Sequence, residues 1–343
     1  MKILGIESSC DETAASVVEV DEVNGGNKTL SNVISSQISI HQKYGGVIPE
    51  LAAREHVLNI LPVINEALSL AKVNPNNIDL LGVTTGPGLI TSLISGIETA
   101  RSLAAVWNKP IVGVNHIAGH IYSGFLEQKT APQFPLIILT VSGGHTNLVF
   151  MKNWEDFEVI GETLDDAAGE AFDKGAKMMN LAYPGGPAIS QAANDFIVSG
   201  KSSSLEFPRP LINKGLNFSF SGLKTSLLYR LQKDKNWSKR ISEYAFAYQE
   251  AIVDVLVAKV LTAIKKYQPQ TVMLSGGVSA NFRLRESLRS KLSEKHPGLT
   301  LLIPDFSFTT DNAAMIALAA YYAHQNNQSK AWQNLKVKVN FSL

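Results

Sequence analysis

Two histidines stand four residues apart in His116-Ile117-Ala118-Gly119-His120. On a helix that spacing puts both imidazoles on one face, within reach of a shared cation. Far downstream, Thr309-Thr310-Asp311-Asn312 opens another apolar run and offers a carboxylate to complete the set. Two imidazoles and one carboxylate with open positions suit iron(II) or zinc(II). The pair lacks the glutamate that HExxH uses as general base, which counts against a zinc peptidase. A lone histidine is most often a packing or capping residue; the paired spacing raises the case for a metal.

Glycine-rich turns form the second group. Ser142-Gly143-Gly144-His145-Thr146 follows an apolar run, and its glycines let backbone N–H groups approach an anion. Glu7-Ser8-Ser9-Cys10-Asp11-Glu12-Thr13 offers a similar turn, with Asp11 and Glu12 available for metal or base work. Ser275-Gly276-Gly277-Val278-Ser279-Ala280-Asn281 sits where a strand meets a helix, so amides and helix dipole can face a nucleotide. Asp165, Asp166, Glu170 and Asp173 cluster as on a solvated helix face, although Asp173 with Tyr183-Pro184-Gly185-Gly186-Pro187 looks like a pocket wall. A carboxylate there suits a ribose hydroxyl. Residues 217–224 alternate like a strand, and Lys224 at its end reads as solvated or anion-binding.

These residues need elements to place them, and the chain states its pattern twice. Ile3–Ile6 and Ala14–Val20 flank one polar turn; Leu136–Val141 and Asn147–Met151 flank another, so both read as hairpins. Leu80–Thr84, a Gly-Pro-Gly loop and Ile90–Ala105 read strand, loop, helix; Thr271–Leu274 and Asn281–Leu292 repeat it. Further helical periods run over Val57–Ala71, Ala245–Tyr267 and Ala313–His324. Strands alternating with helices imply mixed or parallel sheets covered on their faces. A linker over 128–135 suggests a first lobe of residues 1–115 and a second of 116–324. Residues 325–343 are expected to pack back on the first lobe, with Val337–Phe341 as an edge strand, and 201–217 reads as a loop.

The 343 residues suit two domains, and 31 basic against 30 acidic side chains favour neither nucleic acid nor membrane over the chain as a whole. Cys10 is the single cysteine, which fits a reducing compartment. The amino terminus reaches Glu7 too early for a secretory core, and the uncharged run 80–97 is broken by Gly86-Pro87-Gly88. A cytoplasmic protein without a membrane span is expected.

The motifs occur in one order over nearly the whole chain: the 6–13 turn, HIAGH, VSGGHT, GEAFDKGAK, YPGGP, FSFSGLKT, SGGVSAN and TTDNAAMIA. Together they closely resemble the bacterial tRNA N6-adenosine threonylcarbamoyltransferase family, once called O-sialoglycoprotein endopeptidases. The resemblance implies a two-lobed α/β fold of the actin, sugar-kinase and Hsp70 type (a duplicated RNase H-like fold) with a nucleotide cleft between lobes. It implies a metal-dependent acyltransferase that moves threonylcarbamoyl from threonylcarbamoyl-AMP to N6 of adenosine 37 in tRNAs reading ANN codons, releasing AMP. His116, His120 and Asp311 would hold one divalent ion, iron(II) favoured over zinc(II). Leu139, Thr140, Val141, Ser142, Gly143, Asp173, Gly186 and Asn281 would contact the nucleotide-bearing substrate (threonylcarbamoyl-AMP, or ATP or AMP), and Asp11 and Glu12 match acidic positions linked to the reaction. Implied partners are tRNA, a paralogous inactive subunit (TsaB-like) and a small ATPase (TsaE-like); an exposed apolar patch built by helix 57–71 is expected to form the protein contact. Ser190 departs from the family, standing where relatives often carry an acidic residue. A sugar-kinase-like phosphotransferase is a rival that fits the histidine pair poorly, because magnesium prefers oxygen ligands. A non-catalytic scaffold would have no use for the His, His, Asp set.

Overall fold

The computed structural model describes residues 1–23, 25–128, 132–339, 341 and 343. Its contacts divide the chain into one unit of residues 1–132 with 304–343 and another of 133–303.

The first unit is built on β1 (Lys2–Glu7), β2 (Glu12–Val20), β3 (Asn27–Ser36), β4 (Leu80–Gly86) and β5 (Ile111–Asn115), in the order β3-β2-β1-β4-β5. β1 runs antiparallel to β2 and parallel to β4, and β5 extends the parallel half. Strands covered on both faces need apolar residues throughout, and β4 is buried along its whole length. The short helix α1 (Ile38–His41) precedes α2 (Pro49–Ala71), which Pro49 opens and a left-handed Lys72 closes. α2 and α3 (Ile90–Trp107) bury Ile60, Ile64, Leu93 and Ile97 with Leu4, Ile6, Val17 and Val83 of the sheet. α4 (His116–Ser123) follows β5 without a loop.

The second unit repeats the plan with β6 (Leu136–Val141), β7 (Thr146–Met151), β8 (Phe157–Glu162), β9 (Thr271–Ser275) and β10 (Thr300–Leu302), ordered β10-β9-β6-β7-β8. β6 pairs antiparallel with β7 and parallel with β9, as β1 does with β2 and β4. The hairpins and strand–loop–helix units of the sequence are thus a repeated topology. Helices α5 (Ala168–Met178), α6 (Gly185–Val198), α7 (Ser221–Lys233) and α8 (Ile241–Tyr267) supply Phe172, Ile189, Leu223, Tyr248 and Ile252 to a core shared with Leu139 and Leu148. α9 (Phe282–Lys295) lies between β9 and β10.

The chain then rejoins the first unit as α10 (Ala313–Gln325). Its small face, with Ala313, Ala317 and Ala320 buried, lies against Gly5 of β1 and Gly82 of β4. This packing, with its contacts to α4, places α4 and residues 304–324 in the first unit, where the sequence reading had put them in the second. The tail after α10 also packs on the first unit, with Lys338 N–H donating to Thr85 O (2.8 Å) and Asn115 Nδ2 to Phe341 O (2.9 Å). Among the described residues it makes isolated bonds and no ladder, so residues 337–339 of the expected 337–341 edge strand are not in a strand. Residues 129–131 of the expected linker lie outside the described residues.

Residues 217–224 also depart from the expected strand. Their alternation comes from Phe218 and Phe220, both fully buried, between serines that bond the Asp165 carboxylate. Asp165 Oδ1 accepts from Phe220 N–H (2.7 Å) and Ser221 N–H (3.2 Å), which starts α7 there. Among the described residues no helix is long and apolar enough to cross a membrane.

Candidate functional site

Asn115 ends β5 and caps α4, its Oδ1 accepting from Ile117 N–H (2.8 Å) and Ala118 N–H (3.2 Å). The cap fixes His116 in the first turn and, four residues on, His120, with ring centroids 4.7 Å apart and planes nearly perpendicular. Asn312 caps α10 in the same way, Oδ1 accepting from Met315 N–H (3.0 Å), which holds Asp311 just ahead of the helix. Gly119 lets the two helices meet: a Cβ there would come within 2.7 Å of Ile316 Cδ1. Asp311 Oδ1 then lies 3.2 Å from His120 Nε2 and 3.6 Å from His116 Nε2, and one ligand atom from each residue falls within 4.8 Å of the others.

The donor set fits a divalent ion by a direct test. His120 is fully buried, yet neither of its ring nitrogens has a hydrogen-bond partner among the described residues; the approach of Asp311 lacks hydrogen-bond geometry. Buried polar atoms left unpaired are rare and costly, and a bound cation would satisfy Nε2, the nitrogen that faces Asp311. The field agrees. Burial opposes a charge on His116, but Asp311 and Glu7 outweigh it and push the imidazole up to about 9.

Glu7 ends β1 with no exposed surface. Its Oε2 lies 3.1 Å from His116 Nδ1 and accepts from the Thr84 hydroxyl (2.6 Å), while Oε1 accepts from Ser9 N–H (2.6 Å). Burial opposes its ionisation, and the His116 imidazole outweighs that and holds it below the usual carboxylate range. Asp11 ends the turn that follows and Glu12 begins β2, Asp11 buried and Glu12 half-buried. Burial, then the charges of Asp311 and Asp11, raise the Glu12 carboxyl well above its ordinary value. Burial also pushes the Cys10 thiol up, which keeps it protonated and unreactive. His56 of α2 secures the turn: Nδ1 meets the Thr13 hydroxyl at 2.7 Å and Nε2 the Cys10 carbonyl at 3.0 Å. Glu7 and Ser9 belong to the turn expected from the sequence but had no individual role there, and Thr84 and His56 had none. A carboxylate closing the otherwise apolar strand Ile3–Ile6 was the available signal for Glu7.

In the second unit the substrate-contact residues expected from the sequence divide into core and surface. Leu139, Thr140 and Val141 have no exposed surface, and the Thr140 hydroxyl bonds the Ser275 hydroxyl (2.8 Å). They support a strand end whose exposed part is Gly143 and Gly144, with Ser142 Oγ accepting from His145 N–H (3.2 Å). Gly276, at φ 80°, turns the end of β9 against the Val141 carbonyl, where any Cβ would collide. Asp173 Oδ1 accepts from Gly185 N–H (2.7 Å) and sets the start of α6, at which Gly186 faces open space. Asn281 caps α9, Oδ1 accepting from Leu284 N–H (2.9 Å) while Nδ2 donates to Gln249 Oε1 (2.9 Å). The carboxylates 165, 166 and 170 are structural: Asp166 takes Lys224 (2.8 Å) and Lys174 (2.9 Å), and Glu170 also pairs with Lys174 (2.7 Å). Lys224 is thus an ion-paired residue of α7.

A family model described as "TsaD: tRNA N6-adenosine threonylcarbamoyltransferase" matches residues 28–318. Curated proteins of that name from Anaeromyxobacter sp. (strain Fw109-5) and Thermosipho melanesiensis are 47% and 49% identical, each over 94% of both chains. Among solved structures, T. kodakarensis HypF superposes with a TM-score of 0.63 at 14% identity, over 95% of this chain and 48% of that one. Full-length HypF in a phosphate- and nucleotide-bound form gives 0.60 at 15%, over 96% of this chain and 47% of that one. This chain spans about half the length of either HypF, and at that identity the likeness shows the shared fold alone.

Proposed function

This chain belongs to the tRNA N6-adenosine threonylcarbamoyltransferase family, and on that premise we propose how its residues carry the reaction. It is a transferase that places a threonylcarbamoyl group on N6 of adenosine in tRNA. The observation that carries the mechanism is the convergence of His116, His120 and Asp311 to within 4.8 Å. These three would hold one divalent ion, iron(II) before zinc(II), which when bound supplies Lewis acidity toward the acyl oxygens. The donor is the mixed anhydride threonylcarbamoyl-AMP: N6 of adenosine 37 in tRNAs reading ANN codons attacks the carbamoyl carbon, its N–H proton is lost, and the bond to the AMP phosphate breaks.

The chain's own groups divide this work. Backbone N–H groups of the Ser142-Gly143 turn and the Gly186 helix start bind the phosphate and stabilise charge on departing AMP. Asp173 and Asn281 act by fixing the starts of α6 and α9 and so the direction of those amides. Leu139, Thr140 and Val141, being enclosed, hold the strand end in place. Asp11 or Glu12, where the turn after β1 enters β2, accepts the N6 proton.

Val57 and Leu61 of α2 and Ile94 of α3 are exposed along a groove of about 490 Å³ floored by Ile60 and Leu103. An apolar patch of this kind marks a protein partner, and we assign it to the paralogous inactive subunit; the small ATPase completes the assembly. The test is reconstitution with a threonylcarbamoyl-AMP source, cognate tRNA and those subunits, read by nucleoside analysis. His116→Ala is expected to abolish modified adenosine while the protein stays folded. Normal transfer by that variant, freed of metal, would remove the centre from the mechanism.

A further inference from the structure

We propose that Glu7 is the positioning carboxylate of this centre, holding His116 in the tautomer that presents Nε2 to the ion. The inference rests on the reading of His116, His120 and Asp311 as metal ligands. The two nitrogens of His116 face opposite ways: Nε2 lies 3.6 Å from Asp311 Oδ1, and Nδ1 lies 3.1 Å from Glu7 Oε2. A ligating imidazole needs its second nitrogen protonated and engaged, so that the first keeps a free lone pair. Glu7 is built for that task. It is wholly enclosed, and its two oxygens are fixed by Ser9 N–H of the turn after β1 (2.6 Å) and by the Thr84 hydroxyl of β4 (2.6 Å). Neither donor leaves the carboxylate free to rotate away from the histidine. His120 has no such support, since its Nδ1 meets no partner among the described residues. The geometry therefore assigns the orientation of the pair to one buried acid at the end of β1.

One rival stands nearby. The Ser9 hydroxyl also lies 3.1 Å from His116 Nδ1, and it could orient the ring in place of Glu7. The substitution Glu7→Gln separates the two by chemistry. Ser9 N–H can only donate, so it claims the amide oxygen. The amide NH2 then takes the place of Oε2. The Thr84 hydroxyl can turn to accept from it, but His116 Nδ1 must also become an acceptor. The imidazole proton moves to Nε2, the nitrogen that the ion requires.

The experiment titrates cobalt(II) and zinc(II) into the metal-free full chain against a chelating indicator, with proton NMR of the cobalt-loaded protein. Glu7→Gln is expected to weaken binding by about 10- to 100-fold, and to lose a slowly exchanging, paramagnetically shifted His116 Nδ1–H signal that the unmodified chain shows. Ser9→Ala should stay within about twofold of the unmodified chain, a margin small against that expected loss. If Glu7→Gln binds cobalt as tightly as the unmodified chain and keeps the shifted proton, Glu7 does not position His116. If Ser9→Ala shows the loss instead, the hydroxyl is the orienting group. Should Glu7→Gln fail to fold, Thr84→Val, which removes one anchor and keeps the acid, is expected to weaken binding severalfold; unchanged affinity there overturns the proposal. His120→Ala serves as the reference. Full metal affinity in that variant would sink the metal centre itself, whereas its loss beside an unaffected Glu7→Gln would sink only the role of Glu7.

Discussion

A methyl group on Gly119 would meet Ile316 Cδ1 at 2.7 Å and Met315 Cγ at 3.4 Å, so these side chains must shift to admit even alanine, and a larger residue presses on α10 itself. Gly119→Val is expected to force α4 and α10 apart and to cost about 1–3 kcal/mol, the range for overpacking a filled site. The separation also pulls two ligands from the third, so metal stoichiometry should fall even where the thermal midpoint shows the protein folded. A folded variant that retains a full complement of zinc would show that the helix spacing does not set the centre. At this scale the histidine pair was legible from its four-residue spacing, while Asp311, far along the chain, was suggested only by its Thr-Thr-Asp-Asn motif; the fold brings the three within 4.8 Å of one another. Glu7 was not legible. Its meaning comes from β4, which brings Thr84 beside it, and from α4, which brings His116, and neither neighbour is visible in a linear reading.

The segment between α6 and α7 shows how an element without periodicity is nonetheless fixed. Its carbonyls at Leu211, Lys214 and Gly215 all accept from Lys259 Nζ, reaching from the middle of α8, the last two at 3.0 Å or less. Lys259 is fully buried, and burial lowers its ammonium below the ordinary lysine value. Lys259→Met would leave those carbonyls without a charged donor, at a cost of about 2–3 kcal/mol, seen as faster proteolysis between residues 201 and 217. Cleavage at the unmodified rate would show that the loop is held by other contacts. Earlier in the same segment, Ser204 N–H donates to Glu243 of α8 (2.8 Å), which also accepts from Arg240 (3.0 Å). The Arg240 hydrogen bond leads in holding the Glu243 carboxyl down to about 2. A depressed acid stabilises the fold above its ordinary pKa and loses that contribution as pH falls from about 4.5 toward 2. The difference in thermal midpoint between the unmodified chain and Glu243→Gln should therefore be largest near neutrality and shrink through that window; a difference that stays constant with pH would rule the ion pair out as its source. Hairpins, repeated strand–loop–helix units and the long helices could be read from periodicity, because one face of each meets a core. Residues 217–224 could not, since their alternation reflects two buried rings and an Asp165 cap made across the fold.

Over the whole chain the near-neutral charge conceals an uneven distribution. Residues 151–200 carry three basic and nine acidic side chains, and residues 201–300 carry 17 basic and seven acidic. A substrate with one phosphate per nucleotide responds to such local excess, not to the sum. The turn from α7 into α8 concentrates it. Lys233, Lys235 and Lys239 are exposed, and none has a carboxylate partner among the described residues. The acids beside them are already committed: Asp234 to Arg240 (3.0 Å) and the Tyr244 hydroxyl (3.1 Å), and Glu243 to the same Arg240 (3.0 Å). Tyr229, one helical turn before Lys233 and 59% exposed, adds a ring on which a base can stack. Replacing the three lysines by alanine is thus predicted to weaken tRNA binding and to flatten its dependence on salt, the slope of log K against log salt falling by about 2–3 as three phosphate contacts are lost. Metal content and thermal midpoint should not change, which separates this effect from damage to the centre or the fold. Binding isotherms at several salt concentrations read the slope directly. An unchanged slope would place the RNA surface elsewhere than on these three lysines.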